Sequence, residues 1–187
     1  MLSLFKFRRA RGPVDLALGM SGVRLGERLL QVGPGEPALF AAAAGKTGLT
    51  GHAAAVVTTP AARAALEAAA VHEGVLVEVS EAIGTWPYAD ASFDVAILDG
   101  NDLLARDASA LSVAGAELLR VVRGGGRVLA VHAIPRGWGR LVGLDTADAG
   151  DVAPRLTQFL ERAGFGPVRF LAAREGLTFV EAFRPRP

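Results

Sequence analysis

The stretch Leu29-Leu30-Gln31-Val32-Gly33-Pro34-Gly35-Glu36-Pro37 constrains this chain more than any other. An apolar run ends in a Gly-x-Gly turn, and an alanine-rich segment succeeds it over Ala38–Ala44, closed by Gly45. That order reads as a strand, a tight turn and a helix start. Gly33 and Gly35 lack a Cβ, so the backbone can bend sharply there and a ligand can come close. Pro37 suits the first turn of a helix, where its missing N–H has no intrahelical partner anyway. The N–H groups at such a start favour anionic or polar ligand groups. The same unit also serves as a plain strand-to-helix connection, so the order of the downstream elements decides between the two.

Downstream of Gly45, strands and helices alternate. His52–Thr58 reads as a second strand, and Pro60 opens an alanine-rich helix over Ala61–Val71 that ends by Gly74. Val75–Val79 reads as a third strand from its β-branched content. Trp86–Ser92 is a loop, and Phe93–Leu98 is a continuous apolar run, as expected of a strand buried on both faces. Ser109–Val122 has helical spacing, Gly124-Gly125-Gly126 reads as a turn, and Arg127–His132 as a fifth strand. Val152–Ala163 is a further helix. Val168–Ala173 and Leu177–Phe183 are two strands joined by Arg174-Glu175-Gly176, a hairpin signal. The expected fold class is therefore α/β: a Rossmann-like, doubly wound sheet in a three-layer α/β/α arrangement, mostly parallel with an antiparallel C-terminal hairpin. Ligands in such sheets sit beyond the carboxyl ends of the strands, at the switch point.

The chain has 187 residues, which suits a basic N-terminal arm over 1–12 and a single domain over 13–187. The arm, with Lys6, Arg8, Arg9 and Arg11 after Leu2, Leu4, Phe5 and Phe7, lacks the charge order of a signal peptide. It reads as a packed or frayed terminus, or as a segment that touches a membrane surface or partner. Lys and Arg number 20 against 19 Asp and Glu, so net charge gives no argument for nucleic acid. The absence of cysteine excludes disulfides, thiolate metal sites and a cysteine nucleophile. His52, His72 and His132 are too scattered for a zinc spacing, and no apolar run is long enough to span a membrane. A cytoplasmic setting is the expectation.

Three segments together carry a resemblance. Leu30-Gln31-Val32-Gly33-Pro34-Gly35 resembles the first motif of class I S-adenosylmethionine-dependent methyltransferases, of the small-molecule, type-11-like kind. Trp86-Pro87-Tyr88 to Ser92-Phe93-Asp94 resembles the family's segment before strand four, and Glu117–Leu129 its helix and turn before strand five. The order is the family's, and the closing hairpin fits it as well. The resemblance implies S-adenosylmethionine across Gly33, Gly35, Val57, Thr58, Ala82, Ile83 and Asp99, and a small-molecule acceptor near Asp99, His132 and Trp138. It implies catalytic roles for Asp99 and His132. The imidazole of His132 would act as a base. It implies no metal: Asp99 stands where metal-dependent catechol-type relatives keep a ligand, but His132-Ala133 replaces their second pair.

Other roles stay open for the same residues. Asp99, Asn101 and Asp102 also suit a helix cap, His132 a satisfied rim position, and Trp86 and Tyr88 a cover for the sheet edge. The chain departs from the family at Gln31, where an acid is usual, at Pro37, where a third glycine is usual, and at Val57, where a carboxylate usually holds the ribose. Those departures motivate a second expectation, a catalytically silent methyltransferase-like domain that binds a ligand, a protein partner or a second copy. A dinucleotide-binding oxidoreductase shares the fold, but the glycine spacing fits it poorly.

Overall fold

The computed structural model describes residues 12–134 and 147–186. Residues 1–11 of the arm, and Trp138 with Arg136 and Gly137 before it, lie outside the described residues. The elements run α1 (Pro13–Ser21), β1 (Arg28–Val32), α2 (Pro37–Thr47), β2 (His52–Val57), α3 (Pro60–Glu73), β3 (Glu78–Glu81), β4 (Phe93–Asp99), α4 (Gly100–Leu104), α5 (Ala108–Val121), β5 (Val122–Ala133), α6 (Ala147–Arg162), β6 (Val168–Arg174) and β7 (Leu177–Phe183). They build one seven-stranded sheet of order β3-β2-β1-β4-β5-β7-β6. β1 to β5 pair in parallel, and β7 inserts antiparallel between β5 and β6. This is the expected doubly wound sheet with its closing hairpin.

Both faces of the sheet are covered, which is why its central strands read as unbroken apolar runs. Along β1, Leu29 and Leu30 point to opposite faces, and both are fully buried. Leu29 packs with Phe40, Ala43 and Leu66 of α2 and α3. Leu30 packs with Leu118, Leu156 and Leu160 of α5 and α6. Truncating a buried leucine of this kind to alanine costs about 2–5 kcal/mol.

Three of the differences from the sequence reading have a clear physical reason. Val75–Val77 are not strand: the N–H of Gly74 and that of Val75 both return to Ala70 O, so these residues wrap the end of α3. The paired segment starts at Glu78, opposite Ala54. Helix α2 continues past Gly45 to Thr47, whose hydroxyl donates to Ala44 O at 2.7 Å. The triple glycine is not a turn between elements but a bulge inside β5. Val122 pairs with Phe93 and Arg127 with Val95, so β5 carries extra residues against β4. Gly125 takes φ +76° there and donates its N–H to Arg184 O.

Candidate functional site

Strand order reverses between β1 and β4, and both strands end at the same edge of the sheet. A cleft of about 640 Å³ opens at this switch point. Gln31, Ile97 and Leu98 form its base, and Val14 and Ala17 of α1 close one side. Gly35 and Glu36 stand at the start of α2, and Glu175 and Leu177 of the β6–β7 turn stand at the far wall.

The Gly33-Pro34-Gly35 turn has a tight internal geometry. Gly33 lies at φ +84° and Gly35 at φ +53°, and Gly33 N donates to Val56 O at 2.9 Å. A Cβ on Gly35 would stand 2.5 Å from Gln31 Nε2, and one on Gly33 would stand 3.0 Å from Asp99 Cβ and from Asp102 Oδ2. The chain's own side chains therefore already require both glycines, before any ligand is considered. Gln31 is 2% exposed and lies under the turn, its Nε2 donating to Gly33 O at 3.3 Å.

Asp99 joins this turn to the end of β4. Its Oδ2 accepts the Gly35 N–H at 3.0 Å. Its Oδ1 accepts those of Asn101 at 2.9 Å and Asp102 at 3.4 Å, which caps α4. Capping and cleft lining thus fall on one carboxylate. Asn101 is held in turn by β5: its Oδ1 accepts Ala133 N at 2.8 Å, and its Nδ2 donates to Ala133 O at 2.7 Å. That side-chain amide copies a strand edge, a role with no signature in sequence. Asp102 accepts from Arg106 at 2.7 Å and is not on the cleft wall.

His132 is not among the residues that line the cleft. Side chains alternate along β5, so Val131 and Ala133 line the cleft and His132 takes the opposite face. Its Cβ lies against Gly100, where an added Cβ would be 2.9 Å away, and its Nε2 stands 3.5 Å from Asn101 Nδ2.

The other expected cofactor contacts stand apart from the cleft. Val57 is fully buried in the core with Leu66 and Val79, so its side chain does not face a ligand. Thr58 is half-buried beyond it, and Ala82 N donates to Val57 O at 2.9 Å. Ile83 is 83% exposed. Among the expected site residues, the structure brings Gly35 and Asp99 together on the cleft wall and leaves Val57, Thr58, Ala82 and Ile83 at the β2–β3 ends.

Trp86 and Tyr88 cover the sheet. Trp86 is buried in the main core. Tyr88 meets Phe93 edge-on at 5.1 Å, and its hydroxyl donates to Ala55 O at 2.8 Å. Burial raises the Tyr88 phenol from its ordinary 10.0 to about 12, against a smaller opposing hydrogen bond from Ser80. Arg120 fastens the loop by donating to Trp86 O, Tyr88 O and Asp90. Glu117 holds Arg120 at 2.7 Å and accepts Trp86 N at 2.6 Å, and the Arg120 bond above all lowers its carboxyl from the ordinary value.

Among the described residues no group of three or more histidine or acidic side chains is placed to hold a metal ion, and no helix is long and apolar enough to cross a membrane.

No protein-family model matches the chain, and no curated protein sequence matches it. Solved structures do. An S-adenosylmethionine-dependent methyltransferase from Aquifex aeolicus superimposes with TM-score 0.71 at 18% identity, covering 93% of this chain and 90% of that one. A TehB-like S-adenosylmethionine-dependent methyltransferase from Corynebacterium glutamicum gives TM-score 0.61 at 14% identity, covering 91% and 87%. The [4+2]-cyclase SpnF gives 0.65 at 20% identity, covering 93% and 80%. At these identities the likeness is one of fold: the chain has the Rossmann-like fold of class I S-adenosylmethionine-dependent methyltransferases.

Proposed function

We propose that this chain is an S-adenosylmethionine-dependent methyltransferase acting on a small molecule, built as a single domain over 13–187 and working in the cytoplasm. The observation that carries the reading is the cleft of about 640 Å³ at the sheet's switch point, with Gly35 and Asp99 on its wall. That is where ligands of doubly wound sheets bind.

The residues fit the cofactor in part. Gly33 and Gly35 leave room for Gln31, Asp99 and Asp102 to pack against the turn, and Gln31 and Asp99 offer acceptors to an amino group. Thr58, Ala82 and Ile83 remain for the adenosyl side, with no carboxylate at position 57. S-adenosylmethionine, when bound, supplies a methyl group that is already activated. The chain's own work is then alignment of the acceptor and exclusion of water, for which Val14, Leu39 and Leu177 provide apolar walls.

A second reading, a catalytically silent binding domain, is favoured by two specific observations. The Gly35 N–H is already taken by Asp99, and Val57 lies in the core where the family resemblance calls for an acid. The fold itself does not decide, because one fold hosts several chemistries.

Titration calorimetry with S-adenosylmethionine and with S-adenosylhomocysteine separates the two readings. The enzyme reading expects saturable heat that disappears in Gly35→Val with the fold intact by circular dichroism. Absence of heat at millimolar ligand overturns it.

A further inference from the structure

We propose that the groove between α5 and α6 is a second ligand site, one that takes a carboxylate on an apolar chain. The groove has a volume of about 540 Å³ and shares no lining residue with the cleft at the switch point. That volume falls within the range of small-molecule sites. Its floor is apolar: Phe159 is buried, and Leu111 and Leu119 lie half-buried beside it. The two helices close tightly there, since a Cβ on Gly115 would stand 3.0 Å from Ala163 Cβ.

The charge of the groove is on one wall and of one sign. From Ala108 to Ala116, α5 carries no ionisable residue. Helix α6 presents Arg155, Gln158 and Arg162, at the i, i+3 and i+7 spacing of one helix face. Asp151 and Glu161, the acids of α6 with described side chains, are not on that wall. Arg155 donates to Leu104 O at 3.3 Å and so spans one end of the groove.

Arg162 forms no ion pair or hydrogen bond with a described residue. Arg63, Arg106 and Arg120, by contrast, each pair with an acid three or four residues away. The residue four before Arg162 is the uncharged Gln158. Arg162 also stands in the last turn of α6, more than three turns beyond the part of that helix without described side chains.

An anionic head in this groove meets two guanidinium groups and an amide donor, and a guanidinium fork matches a planar carboxylate. An ammonium head meets like charge. An alcohol leaves the arginines unanswered. The apolar chain removes Leu111, Leu119 and the rim of Phe159 from water, which gives the site its binding energy, while the head sets the preference.

The test titrates octanoate, 1-octanol and octylamine into the full chain at neutral pH, followed by amide shift perturbation in NMR. Octanoate is expected to bind about fivefold tighter than octanol, with octylamine weakest. Its shifts should map to 111–119 and 158–163, and its advantage should fall with added salt. Arg162→Gln, at an exposed position, should bring octanoate to the affinity of octanol with the melting temperature unchanged. Ser112→Leu fills the groove from α5 and should abolish binding of octanoate and octanol alike.

Equal or tighter binding of the alcohol or the amine overturns the proposal. So does an octanoate preference that survives Arg162→Gln, and so does absence of binding at millimolar octanoate. Octanoate shifts confined to Gly33–Gly35 place the probe in the switch-point cleft and overturn it too. A chain that sediments as a dimer, dispersed by Ser112→Leu, puts a second copy in the groove and does the same.

Discussion

The Asp99 carboxylate accepts the backbone N–H of Gly35 at 3.0 Å across 64 residues of chain. One oxygen thereby ties the glycine turn to the end of β4, while the other caps α4. A single side chain holds two rims of the cleft in register.

Asp99→Ala should cost about 1–3 kcal/mol, combining a lost cap with a Gly35 N–H left without its acceptor. Asp99→Asn keeps an acceptor oxygen and should cost less. Urea unfolding of both variants checks the order, and an unchanged midpoint for the alanine variant would show that the clamp contributes nothing.

Gly35→Ala places a methyl 2.5 Å from Gln31 Nε2 on a backbone at φ +53°. The backbone term alone costs about 1 kcal/mol, and the contact adds to it. In a double-mutant cycle, Gln31→Ala should recover the contact part and leave the backbone part. A cycle with no coupling would mean that Gln31 does not press on the turn.

Val57→Asp restores the acid that the family resemblance calls for, yet the site is in the core. Burying an unpaired carboxyl there should destabilise the fold by about 3 kcal/mol or more rather than create a ribose contact. Thermal unfolding reads the loss. Retained stability with tighter S-adenosylmethionine binding would show that the side chain turns outward.

Tyr88 is the chain's single tyrosine, so alkaline difference absorbance reports it without overlap. Its folded value, about 12, lies above the ordinary 10.0. The folded state therefore holds the proton more tightly, and stability should fall as pH rises between those two values. Below the ordinary value the group contributes no slope. Tyr88→Phe should flatten that alkaline decline, and a native phenol titrating at its ordinary value would contradict the burial.

Glu117 shows the opposite sign. Arg120 holds its carboxyl below the ordinary 4.5, so the stabilisation is fully present above that value and is lost as pH falls through the lowered one. Glu117→Gln should cost about 1–3 kcal/mol at neutral pH, since it also weakens the bond to Trp86 N. The gap from the parent should narrow in acid. A gap independent of pH would place the cost in packing rather than charge.

Strand and helix order was legible because apolar runs and glycine stops repeat with the spacing that a doubly wound sheet needs. The hairpin was legible from Arg174-Glu175-Gly176, where Glu175 and Gly176 indeed take positive φ. What escaped depends on pairing partners. Val75 to Val77 have strand composition, but a helix cap claims them. The triple glycine suits a turn and a bulge equally, and only the register with Phe93 and Val95 distinguishes them. His132 stands at the right height on β5, but its facing is set by the alternation of Val131 and Ala133 once the sheet is placed. The amide of Asn101 on Ala133 and the approach of Glu175 to the cleft need the strand order, which periodicity does not encode.

Because β7 enters between β5 and β6, the turn that carries Glu175 reaches the cleft only after the final strand has docked on β5. A partly made chain that has emerged through β5 owns the glycine turn and Asp99 but has no far wall. The cleft is thus completed only by the last step of assembly, and an unfinished molecule has an open sheet edge where the finished one has a pocket.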